Sequence, residues 1–215
     1  MIIERQLLNI EKNFREKKIQ LAFKMIRDLK NKYSKNQRLE NFFKNHKLKY
    51  IKNMKINPNQ IQDLYKYNSS DIRLHVDALL KYDPSNAYIN SYLGEFYGKQ
   101  KNFLNAQVFQ EKAILSNPYE VIFYINLANS YKFLGKFSLC KLFLEYALLI
   151  DEKNEFALIN YARILFTLKN HNKSILTFEK LISLTSNPNS LDYKIEFFER
   201  LMDLEKIDEA KIILS

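Results

Sequence analysis

From Ala87 to Pro188 the sequence repeats itself every 34 residues without a gap, in units spanning 87–120, 121–154 and 155–188. A period of that length accommodates a helix, a tight turn and a second helix, and such a unit buries its apolar faces only against neighbouring copies of itself. The seventh and eighth positions pair a large apolar residue with a small one: Leu93-Gly94, Leu127-Ala128 and Tyr161-Ala162. The eleventh holds Tyr97, Tyr131 and Leu165, one helical turn beyond the seventh, so these side chains line one face of the first helix. The twentieth is small again, at Ala106, Cys140 and Ser174, and the twenty-seventh holds Ala113, Ala147 and Leu181. Small residues there predict two helices that cross closely. Helix breaks fall near Lys101-Asn102, near Gly135-Lys136 and at Asn170 to Asn172, each beside a ring at the seventeenth position: Phe103, Phe137 and His171. Pro118 and Pro188 stand near unit ends, where a residue without an N–H can open a helix but not continue one.

These positions carry a resemblance to the tetratricopeptide repeat family, whose pattern has a bulky residue at the fourth position and Leu, Gly or Ala, Tyr, Phe, Ala and Pro at the positions above. The resemblance implies an all-α fold, a right-handed superhelical solenoid of antiparallel helix hairpins. Asn90 and Leu158 stand where the family prefers an aromatic, and Ser174 and Leu181 replace Ala, so looser packing is expected in the third unit.

Outside 87–188 the pattern thins. Residues 57–86, ending in Asp83-Pro84, read as a degenerate hairpin. Residues 1–56 read as a divergent basic hairpin with an extension, in which Ile19, Ala22 and Leu29 take the positions of the ring and the two small residues. The stretch 38–55 is expected to add a helix that is basic on one side. After a two-residue insertion, Asn189-Ser190, the segment 191–215 starts another unit, and Ala210 recovers the small crossing position. Ser215 falls early in its second helix. The expectation is that the chain continues as a longer polypeptide, or covers the open end with a partner or its own copy.

Composition supports this architecture and narrows function. Only three Gly and four Pro occur in 215 residues, too few for the tight turns of an all-β chain, and 47% of residues are hydrophobic, enough for a substantial core. No run of about 18 uncharged apolar residues exists, and the amino terminus meets charge too early for a signal peptide. The protein is therefore expected to be cytoplasmic, which a single cysteine also suits. The net charge of +10 is concentrated: residues 1–55 hold 16 Lys+Arg against 5 Asp+Glu, the rest 18 against 19. That block could meet RNA or an anionic membrane, with Phe14, Phe23, Tyr33, Phe42, Phe43 and Tyr50 interleaved among its cations.

Catalytic machinery is not expected. His46, His75 and His171 are isolated, and no Cys/His pair stands at metal spacing, so no metal or cofactor is predicted. His171 and Cys140 occupy packing positions, and Cys140 should be buried and inert. Phosphate-cradling loops and GxSxG are absent. Gly94 and Gly98 form a GxxxG with Glu95 inside it, which points to close helix packing in a soluble chain.

What remains is a surface. The resemblance implies that positions two, five, nine, twelve and thirteen of each unit face a concave groove. In this chain they are Tyr88, Ser91, Glu95, Gly98 and Lys99; Ile122, Ile125, Asn129, Lys132 and Phe133; and Phe156, Ile159, Arg163, Phe166 and Thr167. Aromatic and aliphatic residues with a few polar points suit an extended peptide, whose backbone Asn129 and Arg163 are expected to hold. The family's clamp for a terminal carboxylate uses Lys and Asn at positions five and nine. Ser91, Ile125 and Ile159 at position five argue against a chaperone-tail receptor. The leading expectation is a protein- or peptide-binding scaffold without catalysis. The alternatives are the recognition module of a larger bacterial enzyme of glycosyltransferase, sulfotransferase or oxygenase type, and RNA or anionic-surface binding by the basic segment.

Overall fold

The structure, a computed structural model, describes residues 2–33, 37–52, 76, 79–81, 83–185 and 190–213. Most of the expected hairpin 57–86, with His75, lies outside the described residues, as do Pro188, Asn189 and Ser215.

Among the described residues every regular element is a helix. The three 34-residue units form three hairpins: α4 (Ala87–Lys99) with α5 (Phe103–Ser116), α6 (Val121–Phe133) with α7 (Phe137–Ile150), and α8 (Glu155–Thr167) with α9 (His171–Leu184). They are followed by α10 (Ser190–Asp203) and α11 (Ile207–Ile213), and preceded by α1 (Ile2–Arg15), α2 (Ile19–Lys32) and α3 (Gln37–Lys52). Helix packs on helix in chain order from α4 to α11, giving the right-handed superhelical solenoid. Several starts are fixed by Asn caps: the Asn86 side chain accepts from the amides of Tyr88 and Ile89, Asn102 from Asn105, and Asn154 from Ala157.

Each hairpin turns through one left-handed residue: Lys101, Gly135, Lys169 and Glu205, and also Lys17 between α1 and α2, all with φ between 58° and 70°. Its N–H donates to the carbonyl three residues back, and the next N–H reaches five residues back, as in Lys101 to Gly98 and Asn102 to Tyr97. This closes the carbonyls that a helix end leaves open.

The small residues sit where helices cross. Gly94, Ala106, Ala113, Ala128, Cys140, Ala147, Ala162, Ser174 and Ala210 are all buried. Looser packing in the third unit is not what the structure has: Leu158, Phe178 and Leu181 are fully buried, and the Ser174 hydroxyl donates to the Ala162 carbonyl at 2.8 Å. The Leu at position twenty-seven fills space beside the ring of Phe178, which stacks on Phe197 at 5.2 Å. The serine replaces an alanine without an unpaired hydroxyl.

The amino-terminal hairpin does not precede α4 in a simple stack. Its Phe23 ring stacks on Tyr146 of α7 at 4.2 Å and meets Tyr124 of α6 edge-on at 5.4 Å. Phe14 and, from α3, Phe42 pack on Tyr119 at 5.2 and 5.9 Å. Arg27 faces Glu145 of α7 at 3.7 Å, and the Lys47 ammonium lies 2.8 Å from Glu120. Helices α1 to α3 thus fold back over the second unit on the side carrying the second helices. This corrects one element of the nucleic-acid alternative: Phe14, Phe23, Phe42 and Phe43 are core rings and offer no stacking platform for bases. The Tyr50 side chain lies outside the described residues.

Candidate functional site

The first helices α4, α6, α8 and α10 form one row, each meeting the next. Along it the residue at position nine of one unit meets position six of the next. Asn126 Nδ2 donates to Glu95 Oε1 at 2.9 Å. Arg163 donates through Nε and Nη2 to both carboxylate oxygens of Glu196, at 2.6 to 3.1 Å. At the junction between them the pattern lapses. Asn160 donates instead to the Phe156 carbonyl of its own helix at 2.7 Å, and among the described residues the Asn129 amide makes no hydrogen bond.

Beside Asn129 lies a cavity of about 180 Å³ between α4 and α6, lined by Gly94, Glu95, Gly98, Phe103, Gln110, Asn126, Asn129, Ser130 and Phe133. Its two glycines differ. A Cβ on Gly94 would run into the Gln110 side chain, whereas one on Gly98 would meet nothing within 4 Å. The close-packing role expected for the GxxxG therefore belongs to Gly94 alone. Gln110 in turn is held by donating to the Ser91 carbonyl at 2.9 Å and accepting from the Ser91 hydroxyl at 3.1 Å. At the cavity edge Phe133 is well exposed and stacks on Phe103 at 4.5 Å, with the Lys132 ammonium 5.0 Å from its ring centroid.

The remaining expected groove residues divide by accessibility. Ser91, Ile125 and Ile159 are buried between helices, so position five offers floor rather than contact surface. Ile122 and Phe156 are exposed and Lys99 reaches solvent. Tyr88 is drawn toward the start of α6: its hydroxyl donates to Glu120 at 2.8 Å, and its ring meets Phe123 edge-on. Phe166 is half-buried between His171, edge-on at 4.9 Å, and the Arg200 guanidinium over its face at 4.9 Å. Arg163, expected to hold a partner's backbone, is already engaged by Glu196. A bidentate carboxylate satisfies the guanidinium fork better than one carbonyl would. Two features escaped the sequence reading. Position six gave no sign, without a fold, that Asn126 and Glu196 would close on the previous unit. Open space over Gly98 depends on the direction of Gln110, which no spacing encodes.

Among the described residues no group of three His, Cys, Asp or Glu is arranged to hold a metal ion. Burial pushes the Cys140 thiol up to about 11, only partly offset by Lys132, so the nucleophilic thiolate is scarce at neutral pH. Among the described residues no helix is long and apolar enough to cross a membrane.

No curated protein matches the chain. The tetratricopeptide repeat family model matches residues 122–154 and 157–188, and the fold resembles several solved structures. One is MamA (TM-score 0.59, 18% identity, 66% of this chain and 82% of that one). Another is the Sgt2 tetratricopeptide domain from Aspergillus fumigatus (0.52, 19%, 57% and 82%). A third is the first tetratricopeptide domain of Spaghetti (RPAP3) bound to the HSP90 peptide SRMEEVD (0.51, 20%, 57% and 96%). Family match, hairpin geometry and buried small residues agree over residues 122–188, which carry two tetratricopeptide repeats within a tetratricopeptide-like solenoid.

Proposed function

We propose that the protein is a cytoplasmic scaffold that captures an extended peptide segment of a partner protein in its concave groove, with no catalysis of its own. The observation that carries this reading is the first helix of the second unit, α6. There the Asn129 amide lacks an internal partner and stands beside an open cavity, while the equivalent residues Glu95 and Arg163 are bonded to the next unit. An amide offers a donor and an acceptor together, which matches one peptide unit of an extended backbone. The space over Gly98, walled by Phe103 and Phe133, receives the side chain beside that unit. That the Spaghetti domain of similar fold holds a peptide supports a peptide as the occupant. Without cations at position five, the acidic tail that domain holds is not the ligand here.

The test is quantitative pull-down from the native host with the unaltered chain, Asn129→Ala, Gly98→Leu and Arg163→Ala. Asn129→Ala and Gly98→Leu deplete the same partners by about tenfold, the loss of one well-placed contact, with melting temperature nearly unchanged. Arg163→Ala lowers the melting temperature instead, because it removes the bidentate partner of Glu196 and leaves that carboxylate only Arg200 at 3.6 Å. Partner profiles identical for the first two variants and the parent would refute the groove.

A further inference from the structure

A second and larger cleft lies on the opposite side of the repeats, where the amino-terminal hairpin folds back. It measures about 720 Å³, within the range of clefts that take ligands, and is lined by the start of α2 and by residues of α5, α6 and α7. Ile114, Leu115, Leu127, Phe143 and Tyr146 form its floor, and Leu21 its near wall. Leu115 and Leu21 are 42% and 46% exposed. The apolar surface continues along α5, because the exposed Leu104 and Val108 share one helical stripe with Glu111 and Leu115 at spacings of four, three and four. From Leu104 to Leu115 that stripe runs about 16 Å, or three helical turns.

Charge decides what could lie there. Lys17, Lys18 and Lys24 border the cleft on the α2 side, and Lys18 already pairs with Glu16 at 2.6 Å. The carboxylate that lines the opposite side, Glu111, has one oxygen taken by Gln107 and by the Tyr131 hydroxyl, each at 2.9 Å. The border is therefore net cationic around an apolar floor. The left-handed turn at Lys17, rigid because it closes the end of α1, holds these lysines at one end of the cleft.

We infer that this cleft docks an acidic amphipathic helix of a partner protein. Its leucine or aromatic side chains lie on Leu21, Leu115 and Phe143, and its carboxylates face Lys17, Lys18 and Lys24. The concave groove would remain free at the same time, so the protein could join two partners. This does not depend on the groove reading, since the two sites share no residue.

A display library of helical peptides, selected on the full chain, provides the probe, and recovered peptides are titrated by fluorescence anisotropy. Recovered sequences should carry Leu, Ile or Phe at i, i+3 or i+4 and i+7, with Asp and Glu flanking them. Leu21→Asp with Leu115→Asp should weaken them at least about tenfold, and Lys17→Glu with Lys24→Glu should weaken them while flattening their salt dependence. Gly98→Leu should leave them unchanged. The aspartates replace exposed side chains, and the lysine variants leave the floor intact, so a folding defect in one pair does not remove the test. Binders without acidic residues, binders insensitive to both pairs, or no binders at all would overturn the proposal. So would a dimer of the unaltered chain that Leu115→Asp dissolves, because the occupant would then be a second copy.

Discussion

Gly94 and Gly98 stand one helical turn apart on α4 and have opposite reasons for being glycine. At Gly94 a methyl group displaces the Gln110 amide and strands the Ser91 hydroxyl. Gly94→Ala should therefore cost about 1–3 kcal/mol, read as a lower midpoint in urea. At Gly98 nothing within 4 Å opposes a methyl, and alanine loses less backbone freedom in a helix. Gly98→Ala should stabilise by about 0.5 kcal/mol while narrowing the cavity beside Asn129. A residue that lowers stability without an internal contact to justify it is what a binding face would retain. Cys140 gives a third check. With its thiol held near 11 by burial, it should resist a thiol reagent at pH 8 in the folded protein and react rapidly in denaturant; fast labelling of the native chain would contradict its burial. The burial of Cys140 was legible from its place in the period. The Arg163–Glu196 pair was not legible, because Glu196 comes from the next unit and side-chain pairing between units depends on the superhelical offset.

Among the elements, the turns show best what a one-dimensional reading catches. The period located the breaks, but only Gly135 advertised a left-handed residue. At Lys17, Lys101, Lys169 and Glu205 the same conformation is imposed on residues with a Cβ, since closing the two helix ends outweighs a local strain of about 1 kcal/mol. Lys101→Gly and Lys169→Gly should each stabilise by about 0.5–1 kcal/mol, and Gly135→Lys should cost a similar amount; thermal midpoints of the three variants check the sign. The third unit shows the opposite limit. Departures from the family's residues at Ser174 and Leu181 suggested loose packing, yet packing depends on whether neighbours adapt. The Ala162 carbonyl takes the serine hydroxyl, and Leu181 is fully buried. Volume and hydrogen bonding compensated where a slot-by-slot comparison could not see it.

At the scale of the molecule, the amino-terminal hairpin changes how the repeats hold together. In a solenoid each unit touches only its neighbours, so stability is a sum of local terms and either end can fray alone. Here Phe23 stacks on Tyr146, more than a hundred residues later in sequence, and Arg27 reaches Glu145 beside it. That contact was invisible in the sequence, because Phe23 sits where any amphipathic helix would place a core residue. Such a distant contact demands closure of a long loop, so it should slow folding and tie the second unit to the first thirty residues in one cooperative transition. Phe23→Ala tests this. Removing a fully buried ring should cost about 3–5 kcal/mol. If the hairpin is part of the cooperative unit, hydrogen exchange should quicken not only in α1 and α2 but also in α7, residues 137–150, while Leu8→Ala, at an exposed position, changes neither. If the hairpin is only a satellite docked on a finished solenoid, Phe23→Ala should release α1 and α2 and leave α7 as protected as before. The coupling would then be absent, and the repeats would stand on their own.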